Sequence, residues 1–141
     1  MNFPGAALPF GMMQWSPDTI RQSGGGYKYE DDRLRGLSLT HISGPGCGGA
    51  QDFPVVPISG AIGRSPATHF EDYVQTFSQE NESASPGSYG LTLDTGVKAE
   101  TTATVRAGVG RFTGPAGKPL TLSPDPSTAW TTPERRSAGT P

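Results

Sequence analysis

The chain has 141 residues and a formal net charge of −2, so it is long enough for one domain with a real core and offers no electrostatic case for nucleic acid or an anionic membrane surface. Charged residues make up 17% while Gly and Pro number 20 and 14, a balance that favours loop-rich β structure over helices. The single Cys excludes an internal disulfide, and no apolar run approaches the roughly 18 residues of a membrane-spanning helix.

Met1 to Gly5 has neither a basic n-region nor an apolar h-region, so no signal peptide is expected there, and the chain enters dense structural sequence at once. Pro4, Pro9 and Pro17 forbid a helix over residues 3 to 19. Phe10 to Trp15 reads as a short strand, with Met12, Met13 and Trp15 on a core or strand face. Ser16-Pro17-Asp18-Thr19 has the chemistry of a turn, which Asp18 closes with an Asx bond. Tyr27 and Tyr29 fall on one strand face. The preceding Gly24-Gly25-Gly26 lacks the Gly-Lys-Ser/Thr step of a phosphate loop. Glu30-Asp31-Asp32-Arg33 reads as a solvated charged turn.

Leu37 to Pro54 organises the chain. It begins as a loosely alternating strand with Leu37, Leu39 and His41 on one face, then breaks into a cluster containing Gly44, Gly46, Gly48 and Gly49. Residues without a Cβ let a backbone approach a ligand or another backbone closely, and a strand that delivers a His into such a loop makes one wall of a pocket. The same composition also describes a plain turn. Gly44, Gly46 and Gly49 match G-x-G-x-x-G, but that fingerprint must open a helix, and Phe53-Pro54-Val55-Val56-Pro57 cannot be one. His41, Ser43 and Asp52 supply the residue types of a hydrolase triad without any G-x-S-x-G elbow.

Further along, Asp72 to Ser78 places Tyr73 and Phe77 on one face, and Gln79 to Gly87 reads as a polar loop. Asn81-Glu82-Ser83 fits the glycosylation pattern. The plainest local structure is a hairpin. Tyr89, Leu91 and Leu93 alternate with small or polar residues, Asp94-Thr95-Gly96 turns the chain, and Val97 to Arg106 alternates again. Six of the 14 prolines fall in the last 29 residues, and apart from Leu120-Thr121-Leu122 no strand pattern survives there. The expected organisation is loop-rich, all-β antiparallel structure over 1–122 and a Pro-rich, disordered tail over 123–141.

Nine motifs follow one another in order: Phe3-Pro4-Gly5-Ala6, Leu8-Pro9-Phe10-Gly11-Met12, Ser16-Pro17-Asp18-Thr19, Gly26-Tyr27-Lys28-Tyr29, Thr40-His41-Ile42-Ser43-Gly44-Pro45-Gly46-Cys47, Asp52-Phe53-Pro54, Phe77-Ser78-Gln79-Glu80-Asn81-Glu82, Ala84-Ser85-Pro86-Gly87 and Val97-Lys98-Ala99-Glu100-Thr101-Thr102-Ala103-Thr104. Together they resemble the N-terminal domain of glycoside hydrolase family 92, the calcium-dependent exo-α-mannosidases. The resemblance implies a secreted or surface enzyme that removes terminal α-linked mannose from glycans with inversion. It implies an N-terminal β-sandwich packed on a larger (α/α)-barrel domain, with the active site between them. The catalytic carboxylates and most calcium contacts would then come from the larger domain, leaving no catalytic or metal residue in this chain. His41, Ser43, Gly44, Gly46 and Cys47 would line the sugar pocket.

Three departures from the family pattern stand out. The segment that normally precedes Asn2 is missing. The stretch beyond Leu122 does not continue the pattern, as truncation or a shifted reading frame would produce. Residues 20–25 lack the Trp that many α-1,2-specific members carry. Inverting hydrolysis needs two carboxylates about 6.5–9.5 Å apart, and no residues here mark such a pair; Asp18 and Asp52 are the best-placed loop carboxylates. Calcium wants six to eight oxygens, and only Glu30-Asp31-Asp32 is acid-dense. A different class of function, a free-standing carbohydrate-binding module, follows from the sandwich with Tyr27 and Tyr29 on one face. A chain without its covering domain is expected to be marginally stable and prone to associate, with residues 3–63 the less secure half.

Overall fold

The computed structural model describes residues 3–21, 25–41, 52–66 and 68–124. The elements in order are β1 (Ala6–Ala7), β2 (Gln14–Thr19), β3 (Arg33–Ser38), β4 (Val55–Ser59), a single 3-10 turn (Phe70–Tyr73), β5 (Gln75–Ser85), β6 (Ser88–Leu93), β7 (Lys98–Ala103), β8 (Gly108–Thr113) and β9 (Leu120–Pro124). Every pairing is antiparallel. Hydrogen bonding runs β1-β2-β3-β5-β6-β7-β8, with β4 between β3 and β9. The start of β5 pairs with β3 through Leu34 and Gln75, and its register against β6 shifts between Phe77 and Glu82. Such an irregularity bends a strand and strengthens its twist, and it carries β5 from the first layer, with β1–β4 and β9, to the second, with β6–β8.

The two layers close on one core. Ala6, Trp15, Leu34 and Leu37 come from the first, and Phe77, Tyr89, Leu91, Leu93, Ala99 and Ala103 from the second. Trp15 lies against Phe112 with ring centroids 6.2 Å apart, and its indole nitrogen donates to the Leu37 carbonyl at 3.3 Å. The ring fits because β8 is bare beneath it: a Cβ on Gly110 would stand 2.5 Å from Trp15. Val56, Ile58 and Tyr73 make a smaller cluster under β4. The all-β structure expected from composition, and the antiparallel sandwich implied by the family resemblance, are the architecture found.

The β6–β7 hairpin forms as its period-two pattern predicts. Leu93 accepts from Gly96 and donates to Val97, and Gly96 takes φ +83°. Several local expectations are corrected. Ser16-Pro17-Asp18-Thr19 is not a turn but most of β2, paired with β3 from Ser16 to Thr19. Gln79 to Ser85 is not a loop but continues β5, whose outward residues are exposed and polar. Both segments are polar strands, one buried on its two faces and one with no buried residue on either, and residue-type chemistry alone reads either as a loop. Tyr27 and Tyr29 share no strand face: Tyr27 is buried in a loop and Tyr29 is exposed. β9 extends through Pro124, so Ser123 and Pro124, expected in a disordered tail over 123–141, lie in a strand instead, and the rest of that tail, 125–141, falls outside the described residues.

Candidate functional site: a buried Asp–His pair at the flank of residues 42–51

Alternation along β2 sends Trp15, Pro17 and Thr19 toward the core and Gln14, Ser16 and Asp18 to the other face. That second face is covered rather than wet. Gly5 donates its N–H to Ser16 Oγ at 3.2 Å and lies so close that a Cβ there would stand 2.2 Å from the Trp15 carbonyl. His41 folds back over the same face from the end of β3, and Phe3 stacks on it at a centroid distance of 5.1 Å. Ser16, Asp18, Ser38 and His41 are all buried.

His41 is held at both ring nitrogens. Nδ1 lies 2.8 Å from the Gln14 carbonyl oxygen and Nε2 lies 2.9 Å from Asp18 Oδ1. Its backbone N–H donates to Gln14 Oε1 at 3.3 Å, and Ser38 Oγ donates to the other oxygen of Asp18. A carbonyl only accepts, so Nδ1 carries a proton. A second proton must then lie between Nε2 and the carboxylate, because two bare lone pairs would repel. The pair therefore holds one proton between two buried side chains, a charge-assisted contact of the strong kind.

This geometry rules on the chemistry. In a nucleophilic triad the imidazole sits between hydroxyl and carboxylate; here the carboxylate sits between Ser38 and His41, so no basic nitrogen faces the hydroxyl. Of the expected triad His41, Ser43 and Asp52, Ser43 lies outside the described residues, and Asp52 is exposed and tied to Thr40, accepting from its hydroxyl at 3.1 Å. Leu39 N–H donates to the Asp52 carbonyl at 3.0 Å. The residues flanking segment 42–51 are thus fixed side by side, His41 into β2 and Asp52 onto the end of β3.

Of the residues expected to line a sugar pocket, His41 is in this cluster with its side chain wholly buried. Ser43, Gly44, Gly46 and Cys47 lie outside the described residues. Sequence reasoning missed the partners Asp18, Ser38 and Phe3. The signal for Asp18 was present in the alternation of Gln14, Ser16 and Asp18 with Trp15, Pro17 and Thr19.

The same end of the sandwich exposes apolar side chains. Met12 donates its N–H to the Val105 carbonyl at 2.8 Å, and Gln14 donates to Leu39 at 3.0 Å, so residues 8–14, 39–41, 52–54 and 104–107 share that end. Phe10, Met12, Phe53 and Val105 are exposed there. Phe10 and Phe53, at φ +58° and +54°, are the two non-glycine residues with positive φ among the described residues. A left-handed backbone costs a residue with a Cβ roughly 1–2 kcal/mol.

A second polar cluster lies on the other side of the core. Glu82 accepts from Tyr27 Oη at 2.7 Å and Tyr89 Oη at 2.5 Å. Burial, and then the adjacent carboxylate, hold both phenols far above the ordinary tyrosine value. They stay protonated and fasten residues 25–29 and β6 to β5. A hollow of about 350 Å³ on the outer face of the second layer, beside Glu100 and Arg111, holds none of the expected site residues. Asp31, expected in a solvated turn, is buried and accepts from the Arg21 N–H at 2.7 Å. Among the described residues no group of three or more His, Cys, Asp or Glu is placed to hold a metal ion, so they do not fit a calcium site. Among them, too, no helix is long and apolar enough to cross a membrane.

Comparison with known proteins gives this geometry its setting. The model of the glycosyl hydrolase family 92 N-terminal domain matches residues 1–140. An uncharacterized secreted glycosidase of Arthroderma benhamiae is 32% identical over 114 residues, 78% of this chain and 15% of that protein. A family GH92 α-mannosidase from Bacteroides thetaiotaomicron, solved in complex with mannoimidazole, is 45% identical with a TM-score of 0.71, over 80% of this chain and 16% of its own. A family GH92 inverting mannosidase from the same species is 26% identical with a TM-score of 0.66, over 85% of this chain and 16% of its own. This chain therefore spans about one-sixth of the length of these relatives. It belongs to glycosyl hydrolase family 92, in which it is the N-terminal domain.

Proposed function

We propose that this chain is the N-terminal domain of a secreted, inverting exo-α-mannosidase acting on terminal α-linked mannose. Its part is to present segment 42–51, with Ser43, Gly44, Gly46 and Cys47, as one wall of a sugar pocket whose acid, base and calcium ligands belong to the larger domain. The observation that carries this reading is the clamping of the segment at both flanks. His41 is locked onto Asp18 and Gln14, and Asp52 is locked onto Leu39 and Thr40. A loop held at its stems on a rigid sheet is how binding residues are positioned. His41 serves as a positioning residue, because both its ring nitrogens are already engaged. In keeping with this, both oxygens of Asp18 are committed to neighbours within the domain.

The test is a chimera in which this chain replaces the matching segment of the 45% identical Bacteroides mannosidase. The chimera should release mannose from an α-mannoside in the presence of calcium, and the 141-residue chain alone should release none. Asp18→Asn should lower turnover of the chimera. A folded chimera without activity, or turnover by the isolated chain, would overturn the reading. Calorimetric titration of the isolated chain with mannobiose separates it from a free-standing carbohydrate-binding module, which would bind unaided.

A further inference from the structure

We propose that the hollow on the outer face of the second layer, walled by Glu100 and Arg111 beside the bare backbone of Gly90, is a contact site for one neutral sugar unit, independent of the role given to segment 42–51. Alternation along β6 and β7 sends Tyr89, Leu91, Ala99, Thr101 and Ala103 to the core. It leaves Ser88, Gly90, Glu100 and Thr102 on the other face. Strand pairing then lines up Ser83, Gly90, Glu100 and Arg111 as one row across β5 to β8. The next row holds Ser88, Thr102 and Val109. Gly90 is the low point of the face, because a Cβ there would stand 2.7 Å from Ser83 Oγ. The hollow around it measures about 350 Å³. That is the small end of the roughly 300–1,000 Å³ seen for small-molecule sites, and it suits a single ring.

The walls carry hydrogen-bonding groups that the described residues leave open. Glu100 Oε1 accepts from Lys98 Nζ at 2.8 Å, and Oε2 has no hydrogen-bond partner among the described residues. Arg111 stands directly opposite Glu100 in the β7–β8 register, where opposite charges ordinarily close on each other. Its guanidinium nevertheless makes no ion pair or hydrogen bond among the described residues. The Lys98 hydrogen bond, and then the charges of Lys98 and Arg111, hold the Glu100 carboxyl below its ordinary value, so it is an anion at neutral pH. The occupant follows from this set of charges. An anion drawn to Arg111 meets Glu100, and a cation drawn to Glu100 meets Lys98 and Arg111. An apolar group finds only Val109. A hydroxyl both donates and accepts, so neighbouring hydroxyls of one ring can satisfy Glu100 Oε2 and Arg111 together without bringing charge. Tyr89 also borders the hollow, but its ring is buried in the core. With no aromatic face to stack on, the contact is weak, with Kd on the order of 1–10 mM.

Amide-resolved magnetic resonance of the isotope-labelled chain tests this, with methyl α-mannoside titrated into the tens of millimolar. Saturable shifts should be confined to residues 88–90, 100–102 and 109–111. Glu100→Gln and Arg111→Ala should each weaken the binding about tenfold, as loss of a hydrogen bond to a charged group does. Gly90→Val should abolish it by filling the low point, with amide signals away from the hollow unchanged. No shift at all overturns the proposal. So do linear shifts spread over the whole surface, which show only a solvent effect. Tighter binding of inorganic phosphate at the same amides overturns it too, by identifying an anion site. Saturable shifts centred on residues 38–41 and 52–54 that survive Arg111→Ala would place the sugar at the other end and sink it equally. A contact this weak leaves the calorimetric titration with mannobiose flat at micromolar protein, so it is not mistaken for a free-standing module. A chimera without activity would count against the role of segment 42–51 and leave these shifts in place, so the two failures are distinct.

Discussion

The two ends of the sandwich reverse the chain by different means. At the end holding the β6–β7 turn, left-handed positions fall on glycines such as Gly60 and Gly96, at φ +104° and +83°. At the end holding segment 42–51, left-handed positions fall also on Phe10 and Phe53. Glycine meets that backbone demand at little steric cost, and phenylalanine does not. Turn-making therefore accounts for the first end and leaves the second over-built. The polar fastenings differ too: Glu82 accepts from two neutral phenols, whereas Asp18 and His41 share a proton in a buried pair.

The largest effect should come from breaking that pair. Asp18→Ala leaves a buried imidazole facing no acceptor, a change of the kind that costs about 3–5 kcal/mol, readable in urea unfolding of the isolated chain. Such a loss is a large part of a small domain's total stability. A cost under about 1 kcal/mol would show that the pair holds nothing together.

The tyrosine cluster should respond to base. Tyrosines of the unfolded chain lose their protons near pH 10, while burial and Glu82 keep the buried Tyr89 protonated well above that. The folded state thus holds a proton that the unfolded state has released. The stabilisation is complete below about pH 10 and falls as pH rises, by about 1.4 kcal/mol per pH unit for this one group. Absorbance titration near 295 nm should show the phenols of Tyr27 and Tyr89 ionising only as the domain unfolds. Early ionisation of every tyrosine would remove Glu82 from the account.

Two smaller substitutions set the ends directly against each other. Gly96→Ala should cost about 1–2 kcal/mol from backbone strain alone, since its new Cβ would meet only Pro115, at an ordinary 3.7 Å. Phe10→Gly relieves the same strain but adds the backbone freedom of glycine, a net gain of up to about 1 kcal/mol. Opposite signs at these two left-handed positions would confirm that turning explains one end and not the other. Matching signs would erase the distinction.

The sandwich and its hairpin were legible because local pattern and tertiary role agree there. Tyr89, Leu91 and Leu93 alternate, and the core receives all three. β2 was hidden because its outer face is buried by residues far away in sequence. Ser16 and Asp18 look like turn residues until Gly5, Ser38 and His41 are brought to them, and no local rule supplies partners some 20 residues distant. β5 was hidden for the reverse reason, since a strand with a wet face resembles a polar loop. At the site, His41 stood out by type and place, but its role depends on Asp18, which sequence reading assigned to a turn. The left-handed backbone at Phe10 and Phe53 leaves no trace in residue type at all.

The pairing of β4 with β9 has a consequence for the ribosome. β4 ends at Ser59 and its partner begins at Leu120, so β4 must wait while the intervening residues are made, on the order of 3–12 s at common rates of synthesis. During that interval its outer edge has no neighbour, and a bare edge invites pairing with another nascent chain. Pro57 lies opposite the future position of Leu122, but Gly60 donates its N–H to the Pro119 carbonyl, so by alternation Val56 and Ile58, and not Pro57, turn their amides to the β9 side. The donor missing at Pro57 therefore does not blunt this edge, which stays open until β9 arrives.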